Sequence, residues 1–192
     1  INFAVSLFYL IHLFLAGLGT YLLARYLKIK DSFALFSAIV YMLAPTVLAH
    51  IGAGHLILIA GIAFFPLAVL FSLRVFEKKW LGNAVWLSII LSLMFMVNFL
   101  VFFYSVIAIF FLVLFKIVSS KNSGKIFRFV FGAILFFGFS AVALLPYLEY
   151  ADYSTRTILT IDDIAQPPWN LPKFVSSVIF PYVGLTKYNV EA

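Results

Sequence analysis

No charged residue occurs in Trp80–Phe115, WLGNAVWLSIILSLMFMVNFLVFFYSVIAIFFLVLF. One straight helix of this length would be about 54 Å long, against a hydrocarbon core of about 30 Å. Basic residues flank the stretch, with Lys78 and Lys79 before it and Lys116 directly after it. Because basic residues collect on the cytoplasmic side, both ends belong on one side, and the stretch predicts two crossings that meet near Asn98.

The composition of the whole chain agrees with a membrane protein. Hydrophobic residues make up 65% of the 192 positions and charged residues only 10%, whereas a soluble domain carries about 25% charge. The net charge of +6 comes from short basic clusters between apolar runs, which is typical of cytoplasmic membrane loops and argues against a nucleic-acid partner. The chain has no cysteine, so thiolate metal sites and a cysteine nucleophile are excluded.

Apolar runs of spanning length also lie on both sides of the central stretch. The spans predicted in the order of the chain are about residues 1–24, 33–49, 56–73, 80–97, 99–118 and 126–148. We therefore expect an all-α integral membrane protein with about six transmembrane helices in residues 1–148. Asp31 and Ser32 are expected to cap the second helix, Pro45 to kink or end it, and Pro66 to bend the third. The sixth span is expected to end at Pro146.

The basic residues predict the orientation of this bundle. Ten of the thirteen lie in or beside the three predicted cytoplasmic loops: Arg25, Lys28, Lys30, Arg74, Lys78, Lys79, Lys116, Lys121, Lys125 and Arg128. The positive-inside rule then places Ile1, the turn at residues 50–55, Asn98 and everything from Glu149 onward on the external side.

Two features inside the first span favour helix packing. The small residues of Ala16–Thr20 are expected to bring another helix close. His12 lies in the middle of the span, where a neutral histidine bonded to a neighbouring helix is favoured over a ligand.

Residues 149–192 predict an external or interfacial segment. Between Glu149 and Pro172 it combines acidic residues, prolines and the only external arginine, Arg156. The apolar run Phe174–Val183 is too short to span and is expected along the interface. Asp162 and Asp163 are adjacent and point opposite ways on an extended segment, so they do not predict a catalytic dyad.

Arg156 has two interpretations from its position alone. Its guanidinium can grip a phosphate with two parallel hydrogen bonds, or it can form a salt bridge with Asp152, four residues earlier. Both residues are candidates for a substrate-binding site, and Glu149 is expected to be a solvated surface carboxylate.

A second candidate site is the turn His50-Ile51-Gly52-Ala53-Gly54-His55. The helix dipole favours a protonated His50 at the end of one helix and a neutral His55 at the start of the next. Gly52 and Gly54 allow backbone N–H groups to turn toward a phosphate. An ordinary interfacial turn and a two-histidine metal site are the alternatives, although no third metal ligand lies nearby in the sequence, so no metal is predicted.

Three groups of residues together resemble a known family. They are the run His12–Arg25 (HLFLAGLGTYLLAR), Gly54-His55 with Phe65-Pro66 after it, and Leu144-Leu145-Pro146 followed by Ser154-Thr155-Arg156. With these residues the chain resembles the YfhO-type bacterial membrane proteins, which are similar to GT-C glycosyltransferases. The resemblance implies a multi-pass protein of the bacterial plasma membrane that is a fragment of a larger GT-C-like bundle.

The resemblance also implies a reaction. The protein would transfer a sugar from a polyprenyl-phosphate donor to an external cell-envelope acceptor, with membrane lipid and the lipid-linked donor as partners and no cofactor. His50, Gly54, His55, Asp152 and Arg156 would form the substrate-binding site. In GT-C enzymes the catalytic carboxylate lies in the first external loop, which we expect to precede Ile1, so no catalytic residue is assigned. A non-catalytic transporter or envelope-assembly partner is the alternative.

Overall fold

The computed structural model describes residues 3–120, 126–151 and 153, and helices dominate this part of the chain. The helices are α1 Phe3–Tyr26, α2 Asp31–Met42, α3 Pro45–Gly52, α4 Leu56–Arg74, α5 Trp80–Val97, α6 Phe99–Ser120 and α7 Ile126–Ala151. Helices α2 and α3 together form one span, so six segments are long and apolar enough to cross a membrane. The described residues contain no β-strand. The predicted all-α membrane fold with six spans is therefore confirmed.

Contacts between side chains show that α1 and α4 run in the same direction. His12 meets the ring of Phe64, Gly19 faces Leu67, and Tyr26 lies under the guanidinium of Arg74. Residue numbers rise together along both helices, as they do in parallel neighbours. Helix α2 runs in the opposite direction to α1. Its first residue, Asp31, pairs with Arg25 at the end of α1.

The same reasoning orders the second half of the bundle. Gly61 faces Val101, and Lys116 lies over the ring of Phe76, so α6 is parallel to α4. Ser88 and Ser92 of α5 bond to carbonyl groups of α7, with residue numbers again rising together. The uncharged stretch therefore crosses twice, as predicted.

Asn98 makes the turn between these two crossings. It is the one residue between α5 and α6 and has an extended backbone. Its side-chain Oδ1 accepts a hydrogen bond from the Val101 N–H at 2.9 Å, which caps the first turn of α6. The predicted position of the turn is confirmed, and the amide side chain explains why so short a connection suffices.

The alternating helices give the bundle two chemically different ends. All eight Lys and Arg residues within the described ranges lie at one end, which we call the basic end: Arg25, Lys28, Lys30, Arg74, Lys78, Lys79, Lys116 and Arg128. The opposite end carries Asn98 and the turn between α3 and α4, and we call it the histidine end.

Helix α4 forms the centre of the bundle and packs on α1, α5 and α6. Small residues let its neighbours approach closely: a methyl group added to Gly61 would lie 3.1 Å from Val101 Cβ. Ala16, Gly17 and Gly19 of α1 are buried, which confirms that this run serves helix packing.

A proline inside α4 is matched by a donor from another helix. Pro66 has no N–H, so the carbonyl of Ile62, four residues earlier, loses its partner within the helix. The hydroxyl of Tyr41 on α2 donates to this carbonyl at 3.0 Å. Within a membrane an unpaired carbonyl is costly, and Tyr41 removes that cost.

A seam of serines joins α5 to α7. The Ser88 hydroxyl lies 2.7 Å from the Gly132 carbonyl and shares its proton with the Ala84 carbonyl of its own helix. Ser140 donates to Ser92 at 3.0 Å. These hydrogen bonds hold two otherwise apolar helices in a defined register.

Two predictions about helix ends are wrong. Lys30 is the N-cap of α2 and makes no side-chain cap bond, whereas Asp31 is already helical and pairs with Arg25 at 2.6 Å. Ion pairing with the preceding helix has replaced capping. Helix α7 also continues through Pro146 to Ala151, because a proline removes one hydrogen bond without ending every helix in a membrane.

Candidate functional site at the histidine end

The turn between α3 and α4 holds two histidines together. His50 lies in the last turn of α3, and His55 is the N-cap of α4. The backbone closes the turn, since the His55 N–H donates to the His50 carbonyl at 2.9 Å. Gly54 has a φ of +75°, a conformation that glycine adopts without steric cost.

The two imidazoles contact each other directly. Their Nδ1 atoms are 3.0 Å apart and their ring centroids 5.2 Å apart. Such a contact needs one proton between the two nitrogens, so one Nδ1 donates and the other accepts. His50 is half-buried and His55 is exposed.

This arrangement allows the pair to carry one positive charge. When one ring is an imidazolium that donates through Nδ1, the other ring is neutral with its hydrogen on Nε2. Both Nε2 atoms are then N–H donors, and no described residue accepts a hydrogen bond from either of them. A second added proton would place two like charges within hydrogen-bonding distance, which is unfavourable.

Gly54 allows the chain to turn, but its N–H group is not available to a ligand. The Gly54 N–H donates to the Ile51 carbonyl at 3.0 Å, and the Leu56 N–H donates to the Gly54 carbonyl. The Gly54 N–H is thus engaged within the turn. The donors that point away from the turn are those of the imidazoles, near a helix N-terminus whose dipole also favours an anion.

An apolar cleft lies on α4 below the histidines. It has a volume of about 380 Å³ and is lined by Tyr41, Ile62, Phe65, Val101, Tyr104, Ser105 and Ala108. Ile62 follows His55 by seven residues, which is about two helical turns and about 10 Å along the same face of α4. The cleft therefore begins about two helical turns along α4 from the imidazole pair.

The other candidate site residues predicted from the sequence do not lie in this turn. Asp152 and Arg156 lie outside the described residues, as do Asp162, Asp163 and the run Phe174–Val183. Glu149 is exposed in the last turn of α7. The structure thus brings His50, Gly54 and His55 together.

His12 is not part of this site. Its Nδ1 donates to the Phe8 carbonyl of its own helix at 2.8 Å, and its ring stacks on Phe8 and meets Phe64 edge-on. The predicted hydrogen-bonded histidine is present, but the bond goes to α1 itself and only the ring contact reaches the neighbouring helix.

Arg128 has a structural role that the sequence did not predict. The sequence alone indicates only that Arg128 belongs with the basic loop residues. Its Nη1 donates to the Val75 and Glu77 carbonyls, both at 3.0 Å, and its guanidinium lies 5.6 Å from the centre of the Trp80 ring. The only signal in the sequence was its position two residues inside an apolar helix.

Within the described residues, no group of three or more His, Asp and Glu side chains could hold a metal ion. The histidine pair itself offers one proton shared between the two Nδ1 atoms and N–H donors at Nε2. In comparisons with known proteins, no family model matches the chain, and it has no match among the curated proteins or the solved structures.

Proposed function

We propose that the chain is part of a multi-pass membrane glycosyltransferase that binds a polyprenyl-phosphate sugar at the histidine end. The observation that carries the proposal is the contact between the His50 and His55 imidazoles at the start of α4, with an apolar cleft further along the same helix. An anionic head on a hydrocarbon tail would match this combination. The family resemblance supplies the sugar, the external cell-envelope acceptor and the bacterial plasma membrane.

In this proposal the histidine pair balances the charge of the lipid phosphate. The acceptor hydroxyl attacks the anomeric carbon, the bond from that carbon to the phosphate oxygen breaks, and the phosphate leaves with its negative charge. His50 and His55, with one proton between them and one on each Nε2, stabilise that charge by hydrogen bonds. Arg156 adds a second cation. The base that takes the acceptor proton would be a carboxylate of an external loop, as the family resemblance implies.

The alternative, a non-catalytic transporter or an envelope-assembly partner, has less support. Coupled transporters place ionisable groups near the middle of the membrane. Across the described spans, His12 is the one His, Lys, Arg, Asp or Glu side chain in such a position, and its Nδ1 is engaged with Phe8.

The test measures binding of polyprenyl phosphate and of the uncharged polyprenol to the full-length protein in lipid nanodiscs. We expect His50→Gln, His55→Gln and Arg156→Ala each to weaken binding of the phosphate by about ten- to a hundredfold, since a charge-assisted contact is worth about 1.5–3 kcal/mol. Binding of the polyprenol should not change. Arg156→Lys should rescue poorly if the grip is bidentate and largely if Arg156 only pairs with Asp152.

His12→Gln is the matched control, because it alters a histidine of the same bundle away from the site. Transfer is followed as release of polyprenyl phosphate from the sugar-loaded carrier. If the double variant of His50 and His55 binds the phosphate as tightly as the parent protein, the site is wrong. If binding depends on these residues but the full-length protein never releases the phosphate, the site binds lipid without catalysis.

A further inference from the structure

A second and larger cleft lies between α5, α6 and α7. Its volume is about 410 Å³, and its walls are almost entirely apolar side chains. The cleft lies between α6, which packs on α4 and α5, and α7, which the serine seam joins to α5. Along α7 it extends from Arg128 to Leu144, which corresponds to about 24 Å of helix. These are the dimensions and the chemistry of a site for one acyl chain.

The basic end of this cleft carries an arginine that no carboxylate of the described residues neutralises. Arg128 lines the cleft and forms no ion pair with a carboxylate of the described residues. Its Nη1 is used by two backbone carbonyls, but its Nε is buried and has no hydrogen-bond partner within the described ranges. A buried donor without a partner costs about 1–3 kcal/mol, so the arrangement favours an acceptor brought by a ligand.

A second cation lies near the same end of the cleft. Lys116 at the end of α6 lies over the Phe76 ring at 5.6 Å, and Phe76 contacts Phe129, a wall residue of the cleft next to Arg128. Across the described residues of the basic end, eight Lys and Arg residues face only Asp31 and Glu77. The local charge therefore attracts an anionic headgroup rather than a zwitterionic one.

We propose that this cleft holds an acyl chain of an anionic phospholipid from the leaflet at the basic end, with the lipid phosphate at Arg128 and Lys116. The proposal is independent of the sugar-transfer function, because the headgroup contacts lie at the basic end and the two clefts share no lining residue. The bound lipid would fill the gap between α6 and α7 and satisfy the Arg128 Nε. It would thereby act as a structural part of the bundle.

Trp80 provides a direct probe, since its ring lies against Arg128. In a background with Trp86→Phe and Trp169→Phe, the protein is placed in phosphatidylcholine nanodiscs containing a small fraction of phosphatidylglycerol with brominated acyl chains. Bromine quenches a nearby indole. We expect brominated phosphatidylglycerol to quench Trp80 at about tenfold lower mole fraction than brominated phosphatidylcholine.

Two variants separate the headgroup from the chain. Arg128→Lys keeps the charge but loses the Nε, and should reduce the preference for phosphatidylglycerol. Ala133→Leu places a larger side chain in the cleft without altering any charge or any described hydrogen bond, so it should reduce quenching by both lipids even if Arg128 variants fail to fold.

Lys78→Gln and Ala4→Leu are the matched controls, one removing an exposed cation of the basic end and the other enlarging an exposed alanine of α1. Both should quench like the parent background. Equal quenching by the two brominated lipids, or parental quenching in Ala133→Leu, would overturn the proposal. Full relief of the preference by millimolar glycerol phosphate alone would also overturn it, because the acyl chain would then contribute nothing.

Discussion

At the scale of single residues, two side chains far apart in the sequence complete each other. Pro66 removes a backbone donor from α4, and Tyr41 of α2 supplies a hydroxyl to the carbonyl that Pro66 leaves free. The proline of α4 and the contact of this helix with α2 are therefore one feature. Neither residue alone reveals it, because the proline predicts only that some donor is needed.

This pairing predicts a coupling between Tyr41 and Pro66. Tyr41→Phe should lower the free energy of unfolding by about 0.6–1.7 kcal/mol, the range for hydrogen bonds between membrane helices. In a Pro66→Ala background the Ile62 carbonyl regains a donor within α4, so Tyr41→Phe should cost less. Reversible unfolding of the four proteins in mixed micelles measures the cycle. Equal costs of Tyr41→Phe in both backgrounds would show that the hydroxyl contributes nothing through Ile62.

At the scale of helices, close approach depends on particular glycines. Gly61 lets α6 come against α4, since Val101 lies where a side chain on residue 61 would go. Valine is stiff in a helix, so it cannot turn away easily. Gly138 on α7, by contrast, faces open space.

Alanine substitution should separate these two glycines. Gly61→Ala should lower the free energy of unfolding by about 1–3 kcal/mol, because the added methyl group forces α4 and α6 apart. Gly138→Ala should leave stability unchanged or raise it by about 0.5–1 kcal/mol, because alanine is the better helix former. Thermal unfolding in detergent compares the two. A stable Gly61→Ala protein would mean that α6 is free to shift on α4.

At the scale of the whole molecule, all described cations lie at one end of the bundle. From the positive-inside rule we expect this end to be cytoplasmic and the histidine end to be external. That orientation is required by the proposed sugar transfer on the external face.

Cysteine labelling tests the orientation, and the absence of native cysteines makes each introduced thiol the only one. Ala53→Cys at the histidine end and Thr160→Cys should react with a membrane-impermeant maleimide from outside. Lys78→Cys at the basic end and Asn122→Cys should be protected until the membrane is opened. Ala53 is preferable to Asn98, whose side chain caps α6. Labelling of Lys78→Cys or Asn122→Cys in intact cells would invert the topology and exclude the external site.

The sequence alone predicts the spans, the turn at Asn98 and the difference in charge between the basic end and the histidine end of the bundle. A bilayer sets the length of an apolar helix and keeps charges at its surfaces, so these features can be read along one chain. The sequence does not predict which helices contact each other, because lipid tails are as apolar as the helix surfaces and no hydrophobic stripe marks an interface. The packing of the helices is needed to show that α4 is central, that His50 and His55 share a hydrogen bond, and that Arg128 reaches the carbonyl of Val75, 53 residues away. These contacts depend on shape and on single donors and acceptors, which acquire partners only when the helices pack.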